Sequence, residues 1–150
     1  MIPGKWSEKS AGGCHLYDKE YEQKVDKFTW TNNPKFHLKL MGQPTGEQYH
    51  QVKITLTRPE NAWKKQIGMN LVGCMIGLYV YNANLQPTRD NIVNKQTQKF
   101  VPWNEVSEEI PLEGNPDGYV IMPTTYEPGK HGPFIISVST ECDFTLTPLD

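Results

Sequence analysis

Cys14 and His15, which follow Ser10-Ala11-Gly12-Gly13, are the pair whose types best suit nucleophilic catalysis. Such chemistry needs a nucleophile, a base within hydrogen-bond reach and a group that orients the base. Neighbouring residues rarely aim their side chains at each other, and an extended chain sends them to opposite faces. Cys14 beside a Gly-Gly turn therefore reads as a small packing residue, and no catalytic residue is assigned. His37, His50 and His131 show no metal-ligand spacing, and His37 on a polar strand face reads as a solvated histidine. A calcium ion needs several oxygens converging from loops. The acidic groups Asp18, Glu20, Glu22 and Asp26, and Glu105, Glu108 and Glu109, are interspersed with lysine or split by strand alternation. Each reads as a solvated face, and turn chemistry accounts for Asp117. The basic residues cluster more usefully. Arg58, Lys64 and Lys65 surround Trp63 in one inter-strand loop, a combination that suits an anionic lipid headgroup or an acidic protein surface. The competing reading is an ordinary loop whose tryptophan folds back onto the core.

Period-two alternation supplies the elements that would position these groups. Phe36, Leu38 and Leu40 alternate with polar residues, as do Val52, Ile54 and Leu56. Ile76, Leu78 and Val80, then Phe134, Ile136 and Val138, then Phe144 and Leu146 repeat the pattern. One face of each such strand belongs on a core. Val106, Ile110 and Leu112 mark a weaker strand, and Tyr119 to Met122 a near-continuous apolar one. Turn clusters separate them: Asn32-Asn33-Pro34, Gly42-Gln43-Pro44-Thr45-Gly46, the stretch 113–118 and the stretch 128–133. Seven or eight short strands without a long intervening helix imply an antiparallel β-sandwich or jelly roll. Pro102 and Pro111 flank the weak strand and place it at a sheet edge, because proline cannot donate a ladder hydrogen bond. The segment His15 to Phe28 departs from the pattern. Tyr17, Tyr21, Val25 and Phe28 recur at helical spacing, and Glu20 and Lys24 form a favourable pair, so a short surface helix is expected there.

The chain of 150 residues suits a single domain over 1–150 with one core. Its net charge of −2 lacks the basic excess of a nucleic-acid binder, so no nucleic-acid partner is expected. Three scattered cysteines, Cys14, Cys74 and Cys142, match neither a zinc site nor a disulfide framework and suit a reducing compartment. The first residues lack an apolar signal region, and the apolar run near Leu71 to Tyr81 is too short to span a bilayer. A cytoplasmic protein, peripheral at membranes at most, is the expectation.

Several strings occur in an order that resembles the calpain-type β-sandwich, domain III of the calpain large subunit. They are Trp6, Ser10-Ala11-Gly12-Gly13-Cys14, Trp30 and Asn33-Pro34-Lys35-Phe36, followed by Ile76-Gly77-Leu78-Tyr79-Val80-Tyr81 and Glu105-Val106-Ser107. The most specific is the stretch from Gly118-Tyr119-Val120-Ile121-Met122-Pro123-Thr124-Thr125-Tyr126-Glu127-Pro128-Gly129, continued by Gly132-Pro133-Phe134-Ile135-Ile136-Ser137-Val138. Together they cover the chain from Trp6 to about Leu146.

The resemblance implies an eight-stranded antiparallel sandwich of C2-like shape, here with the surface helix in an insertion. It implies a non-catalytic regulatory domain that sits beside a papain-like cysteine-protease core and relays calcium or phospholipid signals. No part of that core's sequence is present, so no catalytic residue is carried over. The family's acidic loop maps onto Met41 to Glu47, where Glu47 is the single carboxylate, so calcium binding is expected to be weak or absent and no cofactor is firm. The family's basic loop maps onto Arg58, Lys64 and Lys65. The expected partners are a protease core or another protein domain, and an anionic phospholipid surface. Two other functions compete: a stand-alone peripheral phospholipid-binding module, and a carbohydrate-binding jelly roll using Trp63, Trp103 and tyrosines as sugar platforms. Core or edge packing explains those aromatics equally well.

Overall fold

The structure is a computed structural model that describes residues 1–7, 10–14, 30–41, 49–59, 75–86, 88–127, 129–130 and 132–149. Eight strands follow in chain order: β1 (Ile2–Trp6), β2 (Lys35–Leu40), β3 (Tyr49–Thr57), β4 (Ile76–Asn82), β5 (Glu105–Glu113), β6 (Tyr119–Thr125), β7 (Gly132–Thr140) and β8 (Phe144–Leu149). They form two four-stranded sheets, ordered β1-β7-β3-β5 and β4-β6-β2-β8, with antiparallel pairing throughout. The chain is thus the expected eight-stranded antiparallel β-sandwich. β5, which contains Pro111, is an edge strand as expected. Among the described residues the sole helical element is one 3-10 turn, Arg89–Asn91. The helix expected over His15 to Phe28 lies outside the described residues.

Alternation fixes which side chains meet. Val52, Ile54, Leu56, Val106, Ile110, Leu112, Phe134 and Ile136 of the first sheet face Phe36, Leu38, Ile76, Leu78, Val80 and Ile121 of the second in one buried cluster. Trp6 joins them. Its ring lies 4.5 Å from that of Phe134, and its Nε1 donates to the Pro123 carbonyl of β6 at 3.1 Å.

β4 and β6 carry no polar face because a second, smaller core covers the outside of their sheet. Trp30, Tyr79, Tyr81, Ile92, Val120 and Met122 form it, with Ala83 and Phe100 packed alongside. Ile92 and Phe100 belong to the connection between β4 and β5, which lies along β4 as a strap. The strap makes a two-way backbone pair between Val101 and Ile76, at 2.9 and 3.0 Å, and a bond from Val93 N to Val80 O at 2.7 Å. Gly77 permits the close approach, since a Cβ there would stand 2.5 Å from the Lys99 carbonyl. Gly118 closes the β5–β6 turn at φ 79°, where a side chain would be strained. His37, expected to be solvated, pins that turn through Nε2 and the Asp117 carbonyl at 2.8 Å.

Candidate functional site

Three strings that carry the family resemblance, far apart in sequence, converge at one corner. The amide of Gly12 donates to Asn32 O at 3.1 Å, that of Cys14 to Tyr126 O at 3.1 Å, and that of Gly129 to Ala11 O at 2.8 Å. Asn33, buried, donates from Nδ2 to Gly13 O and Trp30 O. The Cys14 side chain is fully buried, so it serves this corner as a packing residue. His15 lies outside the described residues.

The segment that bears the basic residues leaves β3 at the same end of the sandwich. β3 finishes there at Thr57, opposite Glu105 at the start of β5, and β4 begins there at Ile76. Of the loop residues Arg58, Trp63, Lys64 and Lys65, Arg58 falls among the described residues and the other three do not. Arg58 departs from the exposed cation expected of it, being 1% exposed. Its Nη2 donates to Trp103 O at 3.1 Å and Pro102 O at 3.4 Å, and its amide donates to Asn104 O at 2.6 Å. A guanidinium supplies five donors in a fixed fork, so one side chain can collect several carbonyls of a tight turn. The consequence shows at the tip of that turn, where Trp103 is 69% exposed. Arg58 thus acts as a positioning residue for an indole held out toward solvent.

Two lysines at this end are engaged locally. Lys35 donates from Nζ to Thr31 O at 2.6 Å and Asn33 O at 3.1 Å, and its burial lowers its pKa from the ordinary lysine value. Lys130 lies 3.6 Å from the Glu127 carboxylate. Glu105 and Glu109 are exposed, but Glu108 between them is buried, contrary to the solvated face expected of all three. It occupies the inward position of β5 between Val106 and Ile110. Period-two spacing marks position 108 as inward, and the residue type alone concealed it.

Among the described residues no group of three or more His, Cys, Asp or Glu side chains gathers to hold a metal ion, and Glu47 lies outside them. A depression of about 420 Å³ on the outer face of the first sheet is lined by Gln51, Val52, Lys53, Glu109, Ser139, Thr140 and Glu141. Its described lining holds no aromatic platform for a sugar ring.

Among the described residues these features define an antiparallel sandwich with a motif-built corner and an exposed tryptophan on a turn bonded to Arg58. The family model for calpain large subunit, domain III matches residues 2–139, and the chain belongs to that family. It is similar to the calpain-type cysteine protease ADL1 of Oryza sativa subsp. japonica, 30% identical over 97% of this chain and 7% of the relative. It is similar to human calpain-8, 28% identical over 94% of this chain and 21% of the relative. It is also similar to serine/threonine-protein kinase 4 homolog B of Dictyostelium discoideum, 29% identical over 95% of this chain and 11% of the relative. The chain thus spans between about a fifteenth and a fifth of the length of these relatives.

Proposed function

We propose that this chain is a non-catalytic regulatory and binding domain of a calpain-like protein, and that it docks on anionic phospholipid through the end of the sandwich bearing Trp103. The observation that carries this reading is the exposed indole of Trp103 on a turn fixed by buried Arg58, where the segment containing Trp63, Lys64 and Lys65 leaves β3. An indole favours a site apolar at one end and wet at the other. Lysines of that segment would add attraction to an acidic leaflet. Arg58 supports the site from beneath, and Trp63, Lys64, Lys65 and Trp103 supply its contacts. The domain works on the cytoplasmic side as a peripheral element that relays phospholipid signals to the rest of its protein. Relatives named for a protease and for a kinase are each similar to nearly the whole of this chain, which suits a module whose task is attachment.

The test reverses the charge of the loop. Lys64→Glu with Lys65→Glu is expected to weaken binding to phosphatidylserine vesicles by at least about tenfold, at roughly 1 kcal/mol per basic residue. The thermal transition is expected to stay within a few degrees of wild type, and a large loss of stability would assign the two lysines to the fold rather than to the contact surface. Undiminished vesicle binding by the double variant would remove the loop from the site. Binding to an acidic protein domain with no response to vesicles would make this end a protein-docking face.

A further inference from the structure

We propose that Glu108, Asn94 and Thr97 form a proton-operated latch that fastens the β4–β5 strap across the open edge of the sandwich, closed when Glu108 is protonated and released when it is ionised. This device is separate from the Trp103 surface and stands on its own observations.

The latch joins both sheets. Asn94, on the strap and buried, uses its whole amide group: Oδ1 accepts from Val80 N at 2.9 Å, and Nδ2 donates to Leu78 O at 3.0 Å and to Glu108 Oε1 at 3.0 Å. Its side chain thereby substitutes for a neighbouring strand along the free edge of β4. The third bond crosses to β5, the edge strand of the other sheet. Thr97 donates from Oγ1 to the same Glu108 oxygen at 2.9 Å.

The other half of the carboxyl group is unsatisfied. Oε1 accepts both bonds, whereas Oε2 is buried without a partner among the described residues. Gln98 Nε2, on the same strap, is likewise buried without a partner among the described residues. A neutral buried oxygen lacking a hydrogen bond is costly, and an anionic one far more so. Opening the strap would hydrate both atoms, so ionisation favours the open arrangement. Burial pushes the Glu108 carboxyl up to about 7, against weaker opposing effects from Asn94, Thr97 and the charge of Lys99.

Among the described residues the other charges near the latch lie outside it: Lys99, on the strap, is exposed and acts on Glu108 only through its charge. On the strap, Lys95 is exposed and lies 3.9 Å from Asp90. Across β5, Glu108 stands opposite Ile54 of β3, while Lys53 and Glu109 are register neighbours on the exposed outer face. β4 presents Leu78 and Val80 inward, and its Tyr79 and Tyr81 point into the second core.

The test follows the Val80 amide by hydrogen exchange in the 150-residue chain, corrected for intrinsic rates, with Glu108→Gln as a permanently neutral counterpart. Val80 is expected to exchange faster than the amides of β3, and its protection to fall about tenfold between about pH 6 and about pH 8. In Glu108→Gln this dependence should vanish. A carboxyl ¹³C titration of the wild-type chain, which needs no variant, should place the Glu108 midpoint near neutrality. The latch is overturned if that midpoint lies in the ordinary carboxylate range, if the two proteins share one exchange profile, or if Val80 exchanges only together with β3.

Discussion

Trp6→Ala is expected to lower the unfolding free energy by about 3–5 kcal/mol, the largest effect of any single substitution considered for this chain. Trp6 is 1% exposed and packs against Phe134, which in turn meets Phe36 edge-on at 5.9 Å. These three rings come from β1, β7 and β2, so the cavity would open between the two sheets. The change also strips the Pro123 carbonyl of the indole donor, leaving a buried acceptor unsatisfied. β1 has few other attachments, since it pairs with β7 alone and contains Pro3 and Gly4. Trp6→Phe should separate the two contributions, keeping most of the packing and losing the hydrogen bond at a cost of about 1–2 kcal/mol. Urea unfolding of the two variants measures both. A loss below about 1 kcal/mol for Trp6→Ala would mean that β1 is not integral to the core.

Glu108→Gln is expected to stabilise the chain at neutral and alkaline pH, the opposite of the usual outcome for a buried polar substitution. In the folded chain the carboxyl titrates at about 7, against 4.5 for the free side chain. Between those values the folded state holds a proton that the unfolded state has released, so stability falls as pH rises through the window. The span corresponds to about 3 kcal/mol, lost progressively up to about pH 7 and constant beyond it as far as this group is concerned. Glutamine keeps the acceptor for Asn94 and Thr97 and never ionises. The variant should therefore match wild type near pH 4 and exceed it by up to about 3 kcal/mol above pH 7. Denaturation across that range checks the sign directly. A variant less stable than wild type at every pH would show that the negative charge is welcome where it sits.

Most of the sandwich is written in the spacing of apolar residues. The alternation at Phe36 to Leu40, Val52 to Leu56 and Phe134 to Val138 reappears as β2, β3 and β7, and the prolines around Val106 to Leu112 place β5 at an edge. β1 is silent in sequence because Pro3 and Gly4 erase its pattern, and its placement depends on Trp6 finding Phe134 and Pro123, residues more than a hundred positions away. The strap is hidden for a similar reason. Nothing local marks Asn94 as the side chain that completes β4, since the partners Leu78 and Val80 offer only backbone groups.

The two charged residues that departed from expectation share one cause. Arg58 and Glu108 carry side chains that ordinarily remain in water. Arg58 is buried because a turn more than forty residues further along presents its carbonyls to the guanidinium. Glu108 is buried because strand alternation turns it inward toward donors on the strap. The register of β5 was readable, but the donors were not. Of the basic loop, the sequence shows a charge cluster beside a tryptophan, while the exposure of Trp103 becomes apparent only when the 102–104 turn is seen against Arg58.

Co-sedimentation of the wild-type chain with vesicles, followed as salt is raised, bears most directly on the proposed role. Binding to phosphatidylserine vesicles should be clear at low salt and weaken steadily as the Debye length shortens from about 30 Å toward about 8 Å. Phosphatidylcholine vesicles should retain little protein at any salt concentration. A chain that ignores phosphatidylserine at low salt, or that binds both lipids equally and without regard to salt, would contradict the assignment of this end of the sandwich to an anionic membrane surface.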